Sequence, residues 1–390
     1  MSLFIDVAYD SLIKHEEELC GDNVEIVKLE DSIIIVMADG LGSGVKANIL
    51  STLTTKIAAT MLKEGEDIYE TVDTIINTLP VCKVRNIAYS TFTILKIYND
   101  GRVFAAEYDN PPLFIIRNSE SLKIPKKELD INGKKVYVSD FIARRGDVLT
   151  AVSDGVIHAG IGQVLNLGWT WDKVENYLQR SCCKKKSAKN ISRDLVEVCW
   201  DLYGKKPGDD TTVVGIKIRD PEYIDLFTGP PVNTANDSYV IKKFMNGKGK
   251  KIICGGTAAN IASRELNREM KVNMDILYKD VPPTSTMQGI DLITEGVLTL
   301  SKAVEKLKKG MECYDDGGLI YNIREKDGAS LLIKMLLEDC THLNLWIGKA
   351  VNLAHQNPDF PTDLNIKLNL VEELCELMKK LGKKITINYV

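Results

Sequence analysis

The stretch from Ser32 to Lys63 restricts the fold of this chain more than any other part. It begins with an apolar run, Ile33–Ala38, that has the length and composition of a buried strand. Asp39 ends this run, and Gly40-Leu41-Gly42-Ser43-Gly44 opens a helix that is predicted to end near Lys63. Residues three and four positions apart give the helix one buried face: Ala47, Leu50, Leu53, Thr54, Ile57, Ala58 and Met61. The sequence therefore predicts a buried strand, an aspartate where the strand ends, and a helix that packs by one face.

The rest of the first half continues with strands and a few helices. Predicted strands are Phe4–Ile13, Val24–Lys28, Tyr89–Tyr98, Val103–Glu107, Leu113–Arg117, Val148–Ser153 and Thr211–Ile218. Further helices are predicted at Ile68–Leu79, Trp171–Gln179 and Ala188–Tyr203, and Gly65 is the predicted C-terminal cap of the first helix. Many strands with helices in two pairs predict an α+β sandwich, with antiparallel sheets inside and helices outside.

The chain has 390 residues, more than one domain usually holds. Asp220-Pro221 and the run Gly229-Pro230-Pro231-Val232-Asn233 predict a linker at residues 221–235, between a first domain at 1–220 and a second at 236–390. Beyond the linker, strands (Lys250–Cys254, Leu343–Ile347, Lys384–Tyr389) alternate with helices (Ala258–Leu266, Ile290–Lys308, Ala329–Leu337, Leu370–Leu381). This alternation predicts a smaller α/β domain.

Composition argues against several classes of function. The 50 basic and 54 acidic residues leave no basic excess for binding nucleic acid or an acidic membrane. No apolar run approaches the roughly 18 residues of a membrane span, and the N-terminus does not resemble a signal peptide. Nine cysteines without a regular framework or C-x-x-C spacing argue against zinc and fit reduced thiols. We therefore expect a cytoplasmic protein.

Four aspartates stand at the ends of predicted strands. Asp22 precedes one strand, Asp39 and Asp154 each end an apolar strand and are followed by glycine, and Asp209 precedes the strand that begins at Thr211. Clustered carboxylates repel one another unless cations neutralise them, and oxygen ligands without histidine or cysteine suit Mg²⁺ or Mn²⁺. Two such ions about 4 Å apart can activate a bridging water for attack on a phosphoryl group.

Any one Asp-Gly pair is more often an ordinary turn than a functional site. The ordered set is more specific. Its four segments are Gly21-Asp22-Asn23, Ala38-Asp39-Gly40-Leu41-Gly42-Ser43-Gly44, Val152-Ser153-Asp154-Gly155-Val156 and Gly208-Asp209-Asp210-Thr211-Thr212-Val213-Val214. They resemble the metal-binding motifs of the metal-dependent protein phosphatase (PPM) family, in particular its bacterial stage II sporulation protein E-like branch. The resemblance covers residues 1–220.

The resemblance implies an αββα sandwich and a centre of two Mn²⁺ or Mg²⁺ ions. Asp22, Asp39, Asp154 and Asp209 would be metal ligands, with the carbonyl of Gly40 as a further one. Asp39 and Asp154 would be essential to catalysis, whereas Asp210 would support the ligands from behind. The substrate would be phosphoserine or phosphothreonine in a protein, such as an antagonist of an anti-sigma factor in bacterial signalling.

This sequence also departs from the family's pattern. Larger members carry an N-terminal arginine that binds the substrate phosphate, whereas Lys14 and His15 are the only basic residues at the matching place. Two alternatives to a protein phosphatase stay open: a non-catalytic module that binds phosphoproteins or partner domains, and a phosphatase for small molecules.

In the second half, the glycine turn Gly255-Gly256-Thr257 follows a predicted strand and opens a predicted helix. Such a turn can present free N–H groups to an anion. Two interpretations of Gly255–Thr257 therefore stay open: a binding site for a small anionic ligand, or an ordinary tight turn. A regulatory or ligand-binding role is the hypothesis for residues 236–390.

Overall fold

The structure is a computed structural model, and it describes residues 3–78, 81–82, 87–88, 90–182, 187–273, 282–309, 327–350 and 363–390. The chain divides into two compact units, Met1–Asp220 and Pro221–Val390. Among the described residues, none of the helices combines the length and the apolar composition of a membrane span.

The first unit contains strands and helices in an order close to the predicted one. Its strands are β1 (Phe4–Leu12), β2 (Asp22–Lys28), β3 (Ser32–Gly40), β4 (Val81–Cys82), β5 (Ile87–Ala88), β6 (Ser90–Tyr98), β7 (Arg102–Tyr108), β8 (Phe114–Arg117), β9 (Glu120–Ser121), β10 (Lys127–Ile131), β11 (Lys134–Ile142), β12 (Val148–Val152) and β13 (Thr211–Arg219). Its helices are α1 (Gly44–Glu64), α2 (Ile68–Thr78), α3 (Asp154–Ile157), α4 (Trp171–Ser181) and α5 (Ala188–Leu202).

Two antiparallel sheets form the centre of this unit. One has the order β10-β11-β7-β6-β3-β2, and the other has the order β1-β13-β12-β8-β9. One core cluster lies between the sheets and contains residues of β1, β3, β6, β7, β12 and β13. Helices α1 and α2 pack on the first sheet, and α4 and α5 pack on the second. The predicted αββα sandwich is therefore confirmed.

Strand β3 shows why its sequence is apolar without alternation. Ile33, Ile35 and Met37 belong to the core between the sheets, whereas Ile34 and Val36 pack under α1 and α2. Successive side chains of a strand point to opposite faces, so a strand that is covered on both faces has no polar side.

The predicted buried face of α1 was partly wrong. Its buried residues are small or carry hydroxyls, namely Gly44, Ala47, Ser51, Thr54, Thr55, Ala58, Ala59 and Leu62. Leu53 is 48% exposed. Val45 and Ile49 lie on the same side of the helix and are also exposed, at 59% and 52%. Small side chains let the helix lie close to β2 and β3, and this close packing, rather than hydrophobicity, selects the buried face. Gly65 caps the helix in the left-handed conformation, as predicted.

The second unit is built around a mostly parallel sheet. Its strands are β14 (Tyr223–Thr228), β15 (Lys250–Cys254), β16 (Lys271–Val272), β17 (Ser285–Met287), β18 (Ile290–Thr294), β19 (His342–Ile347) and β20 (Lys384–Tyr389). Its helices are α6 (Asp237–Asn246), α7 (Gly256–Leu266), α8 (Val297–Lys309), α9 (Gly328–Glu338) and α10 (Asp363–Lys380). The order in the sheet is β16-β17-β18-β15-β14-β19-β20.

Two sequence predictions in this region need correction. Residues 221–235 are not a simple linker, because Tyr223–Thr228 is β14, which pairs in parallel with both β15 and β19. The predicted helix at Ile290–Lys308 begins only at Val297, because Ile290–Thr294 is β18 and pairs with β15 and β17. In both cases, neighbouring strands satisfy the backbone N–H and C=O groups of a short apolar segment that has no distinctive period of its own.

Candidate metal centre

The four aspartates lie where strands of the two sheets begin or end. In the first sheet, Asp22 opens β2 and stands directly opposite Asp39 of β3. In the second sheet, Asp154 follows β12, and Asp209 precedes β13. Strands β12 and β13 are hydrogen-bonded neighbours in this sheet. The carboxyls of Asp22, Asp154 and Asp209 all act on the pKa of Asp39. The fold therefore brings these residues, far apart in sequence, to one place.

Asp22 is the most unusual member of the group. It is 6% exposed, and neither of its carboxylate oxygens has a hydrogen-bond partner among the described residues. Burial raises the pKa of this carboxyl to about 7, and the carboxyls of Asp210 and Asp154 add to the effect. The nearby hydroxyls of Thr212 and Ser153 oppose the rise without reaching hydrogen-bonding geometry. A buried carboxylate without donors is costly, and a bound cation would remove that cost.

Burial and neighbouring negative charge also act on Asp39. Burial raises the pKa of its carboxyl to about 9, and the charge of Asp22 is the next largest cause. The backbone around it is held firmly, because Ser90 Oγ donates to the Asp39 carbonyl at 3.0 Å and Gly40 N donates to the Gly21 carbonyl at 3.2 Å. The carboxyl is thus positioned among other acids by hydrogen bonds that do not neutralise it.

Asp154 begins the short helix α3, and its pKa is raised by burial and then by the charge of Asp209. The turn that carries it is fixed by Tyr203, whose hydroxyl donates to the carbonyl of Gly155 at 2.7 Å. The sequence marked Tyr203 only as the end of a predicted helix. Its role at the site could not be deduced from local sequence, because the hydrogen bond joins residues 48 positions apart.

Asp210 holds a loop in place. Its two carboxylate oxygens accept hydrogen bonds from the backbone N–H groups of Lys14 at 3.1 Å and Gly21 at 2.9 Å. These bonds fasten the segment between β1 and β2 to the start of β13, next to Asp22. The supporting role expected for Asp210 agrees with this geometry.

One lysine reaches the cluster. The Nζ atom of Lys14 lies 3.7 Å from Oδ1 of Asp209, and both side chains are partly exposed, at 35% and 44%. Such an exposed pair contributes little to stability. It does, however, place a partly exposed positive charge beside the acidic group.

The glycines that follow Asp39 and Asp154 serve packing in this fold. A Cβ on Gly40 would stand 2.0 Å from the carbonyl oxygen of Ala47, in α1. A Cβ on Gly155 would stand 2.1 Å from the carbonyl oxygen of Asp210. Glycine is therefore required at both positions because other backbone segments approach closely, a reason the sequence did not reveal.

The donor set fits hard divalent cations. In the part of the chain that the structure describes, no three histidine, cysteine or acidic side chains are arranged closely enough to hold a metal ion as they stand. The negative charges of Asp22, Asp154 and Asp209 nevertheless raise the pKa of Asp39, and the carboxyl of Asp22 is buried without a hydrogen-bond partner among the described residues. Oxygen donors of this kind match Mg²⁺ or Mn²⁺ better than zinc.

Comparison with known proteins gives one family match. Residues 30–219 match the family model described as Stage II sporulation protein E (SpoIIE). No curated protein matches the chain. Three similar solved structures are the PP2C phosphatase domain with a fragment of the regulatory domain of SpoIIE from Bacillus subtilis, the RsbU and RsbW domains of Rv1364c from Mycobacterium tuberculosis, and RsbX in complex with magnesium.

These similarities are distant. The SpoIIE structure is 23% identical with a TM-score of 0.48, and the match covers 56% of this chain and 63% of that one. The RsbU and RsbW structure is 16% identical with a TM-score of 0.48, covering 63% and 69%. RsbX is 20% identical with a TM-score of 0.41, covering 55% and 95%. With TM-scores below 0.5, they carry no weight for function, which has to rest on this chain's own residues.

Proposed function

We propose that the first unit, whose residues 30–219 match the stage II sporulation protein E family model, is a metal-dependent phosphoprotein phosphatase. The observation that carries the proposal is the buried, unpartnered carboxylate of Asp22 opposite Asp39. A site whose charges are left uncompensated by the protein is suited to a ligand that compensates them.

The ligands of two divalent ions would be Asp22, Asp39, Asp154 and Asp209, with the carbonyl of Gly40 as a further one. Two bound ions would supply an activated water or hydroxide and stabilise charge on the phosphoryl oxygens. The protein's own contribution is to hold the carboxylates in place and to exclude competing donors from Asp22. Asp39 and Asp154 are the residues on which we expect catalysis to depend most.

Lys14 is our candidate for binding the substrate phosphate. Its ammonium lies at the rim beside Asp209, and its side chain is exposed enough to turn toward a ligand. A lysine at this place would bind the phosphate through its single positive charge, whereas an arginine would bind it through paired hydrogen bonds.

We further propose phosphoserine or phosphothreonine in a protein as the substrate, in bacterial signalling in the cytoplasm, with an antagonist of an anti-sigma factor as a candidate. The match of residues 30–219 to the stage II sporulation protein E family model supports this choice.

The direct test is hydrolysis of p-nitrophenyl phosphate and of a phosphoserine peptide by the full chain, with and without MnCl₂. The variant Asp39→Asn removes one ligand charge, and Asp73→Asn, on the exposed side of α2, is the matched control. We expect manganese-dependent turnover in the wild type and the control, and at least a 100-fold loss in Asp39→Asn.

Other outcomes point to the alternatives. Full activity in Asp39→Asn would contradict the metal assignment. Turnover of phosphosugars or nucleotides, but of no phosphopeptide, would indicate a small-molecule phosphatase. Phosphoprotein binding without turnover under any metal would indicate a non-catalytic module.

A further inference from the structure

The second unit has the strand order of a doubly wound sheet. Its parallel strands lie in the order β18-β15-β14-β19-β20, so the chain starts in the middle, moves to one side, and then crosses to the other. Helices α6 and α7 pack on one face, and α8, α9 and α10 pack on the other. The direction of winding reverses between β14 and β19. Ligands of open α/β sheets bind outside the carboxyl ends of the strands at this point.

A glycine follows each of the strands β14 and β19 at its carboxyl end. Gly229 follows β14, and Gly348 follows β19. A Cβ on Gly348 would stand 2.1 Å from the carbonyl oxygen of Pro230, and a Cβ on Gly229 would stand 2.2 Å from Nζ of Lys367. Both positions therefore need glycine so that the two strand ends and the lysine can meet.

Lys367 of α10 brings a positive charge to this place. Its Nζ atom donates a hydrogen bond to the carbonyl of Gly348 at 2.7 Å, which leaves two of its three N–H donors for other acceptors. Among the residues that the structure describes, no carboxylate forms an ion pair with it. Two other lysines of this unit do have such partners, since Lys251 lies 2.6 Å from Asp225 and Lys306 lies 3.1 Å from Asp327.

No carboxylate of the described residues compensates the charge of this half-buried ammonium. Burial lowers the pKa of Lys367, because the side chain loses contact with water. A bound anion would reverse this effect by pairing with the ammonium. Glu295 is an acidic residue at a neighbouring strand end, since it follows β18 on the far side of β15. Its carboxylate accepts a hydrogen bond from Leu298 N at the start of α8.

We propose that the crevice between the ends of β14 and β19, formed by Gly229, Gly348 and Lys367, binds the phosphate group of a small molecule. A lysine in a partly buried site is a common phosphate ligand, and the two glycines let its ammonium lie directly against the strand ends. This binding site is independent of the phosphatase activity proposed for the first unit.

The neighbouring strand end suggests where the rest of such a ligand would extend. Strand β15 lies beside β14, about 5 Å away, and is followed by Gly255-Gly256 at the start of α7. A Cβ on Gly256 would meet no atom within 4 Å, so there is open space at this end of the helix. The turn Gly255–Thr257, for which the sequence left open an anion site or an ordinary tight turn, thus follows the strand next to β14, and we expect a second anionic group of the ligand to extend toward it.

The test is calorimetric titration of the full chain with inorganic phosphate, pyrophosphate, AMP and ATP, and with succinate as a carboxylate probe. Lys367→Met removes the charge but keeps a long side chain, and Lys380→Met, an exposed position on the same helix, is the matched control. We expect at least one phosphate compound to bind, with a dissociation constant at least tenfold higher in Lys367→Met and unchanged in Lys380→Met. Circular dichroism would confirm that both variants fold.

A second pair of variants adds charge without disturbing packing. Gly256→Asp places a carboxylate in the open space beside the crevice, and Gly256→Asn is its neutral counterpart. We expect weaker binding of pyrophosphate and ATP in the first and little change in the second. The proposal is overturned if no phosphate compound binds the wild type, if Lys367→Met binds as tightly as the control, or if succinate alone binds.

Discussion

At the scale of single residues, the carboxyls of Asp22 and Asp39 are held in surroundings that oppose their ionisation. Their pKa values of about 7 and about 9 compare with about 3.9 in an unfolded chain. Between pH 4 and 9, the folded, metal-free protein therefore binds more protons than the unfolded chain. By linkage, the free energy of unfolding falls as the pH rises through this range. The proposed function thus has a measurable cost in stability.

This reasoning predicts that Asp39→Asn stabilises the metal-free protein at pH 8. At pH 8 the unfolded chain ionises Asp39 freely, whereas the fold keeps it protonated, so removing this acid should raise the free energy of unfolding by about 1–3 kcal/mol. Thermal unfolding in EDTA at pH 8 and pH 5 would measure this, with a larger gain at pH 8. Equal melting temperatures for Asp39→Asn, wild type and Asp73→Asn at pH 8 would contradict the assigned environment of Asp39.

The same shifts predict how the apparent affinity for metal depends on pH. Because the cation competes with protons for Asp22 and Asp39, Mn²⁺ binding should release protons and weaken as the pH falls from 9 to 6. Titration calorimetry in two buffers with different ionisation enthalpies would count the released protons. An affinity that stays constant over this range would show that these carboxyls are not ligands.

At the scale of elements, helix α1 and the strand end it covers must fit closely. A methyl group on Gly40 would collide with the carbonyl of Ala47, which lies in the first turns of α1. The backbone of a helix cannot give way like the end of a side chain, so the collision would displace the helix or the end of β3.

We therefore predict that Gly40→Ala lowers the free energy of unfolding by about 1–3 kcal/mol and lowers phosphatase activity. Urea unfolding and the p-nitrophenyl phosphate assay would measure the two effects. Gly256→Ala is the control, because its methyl group would enter open space. A Gly40→Ala protein as stable and as active as the wild type would show that α1 does not constrain the site.

The hydroxyl of Tyr203 offers a subtler test of how the site is positioned. Tyr203→Phe removes the hydrogen bond to the Gly155 carbonyl and keeps the ring, so it should cost about 1 kcal/mol of stability. Because the turn carries Asp154, we also expect kcat to fall several-fold with little change in KM for a phosphopeptide. Steady-state kinetics at saturating Mn²⁺ would separate the two parameters.

At the scale of the whole molecule, each unit has a core of its own. In the second unit, β14 lies inside the sheet, with parallel neighbours on both sides, and Ile224 and Leu226 are fully buried. A domain boundary drawn after β14, as the glycine- and proline-rich sequence first indicated, would remove an interior strand. The boundary at Asp220 and Pro221 leaves it in place.

This difference predicts the behaviour of fragments. A fragment of residues 221–390 should fold cooperatively, whereas one of residues 236–390 lacks β14 and should be unfolded or aggregated. Circular dichroism and urea unfolding of both fragments would test this. A cooperative transition in the shorter fragment would mean that β14 is dispensable for the second unit.

The sequence by itself determined the elements with strong local signals. The apolar run of β3, the glycine cap at Gly65 and the alternation of strands and helices after residue 236 were predictable, because each depends on neighbours in the chain. The four aspartates were recognisable as a set because each stands at a strand end in a motif with its own spacing.

Only the tertiary structure decided the rest. The exposed side of α1, the place of β14 in a sheet, the hydrogen bond of Tyr203 and the approach of Lys367 to Gly348 all depend on residues distant in sequence. Local sequence does not encode such contacts, because the same side chain is favourable in several environments until a distant partner is placed against it. The carboxylates acquire their shared electrostatics only when the two sheets bring them together.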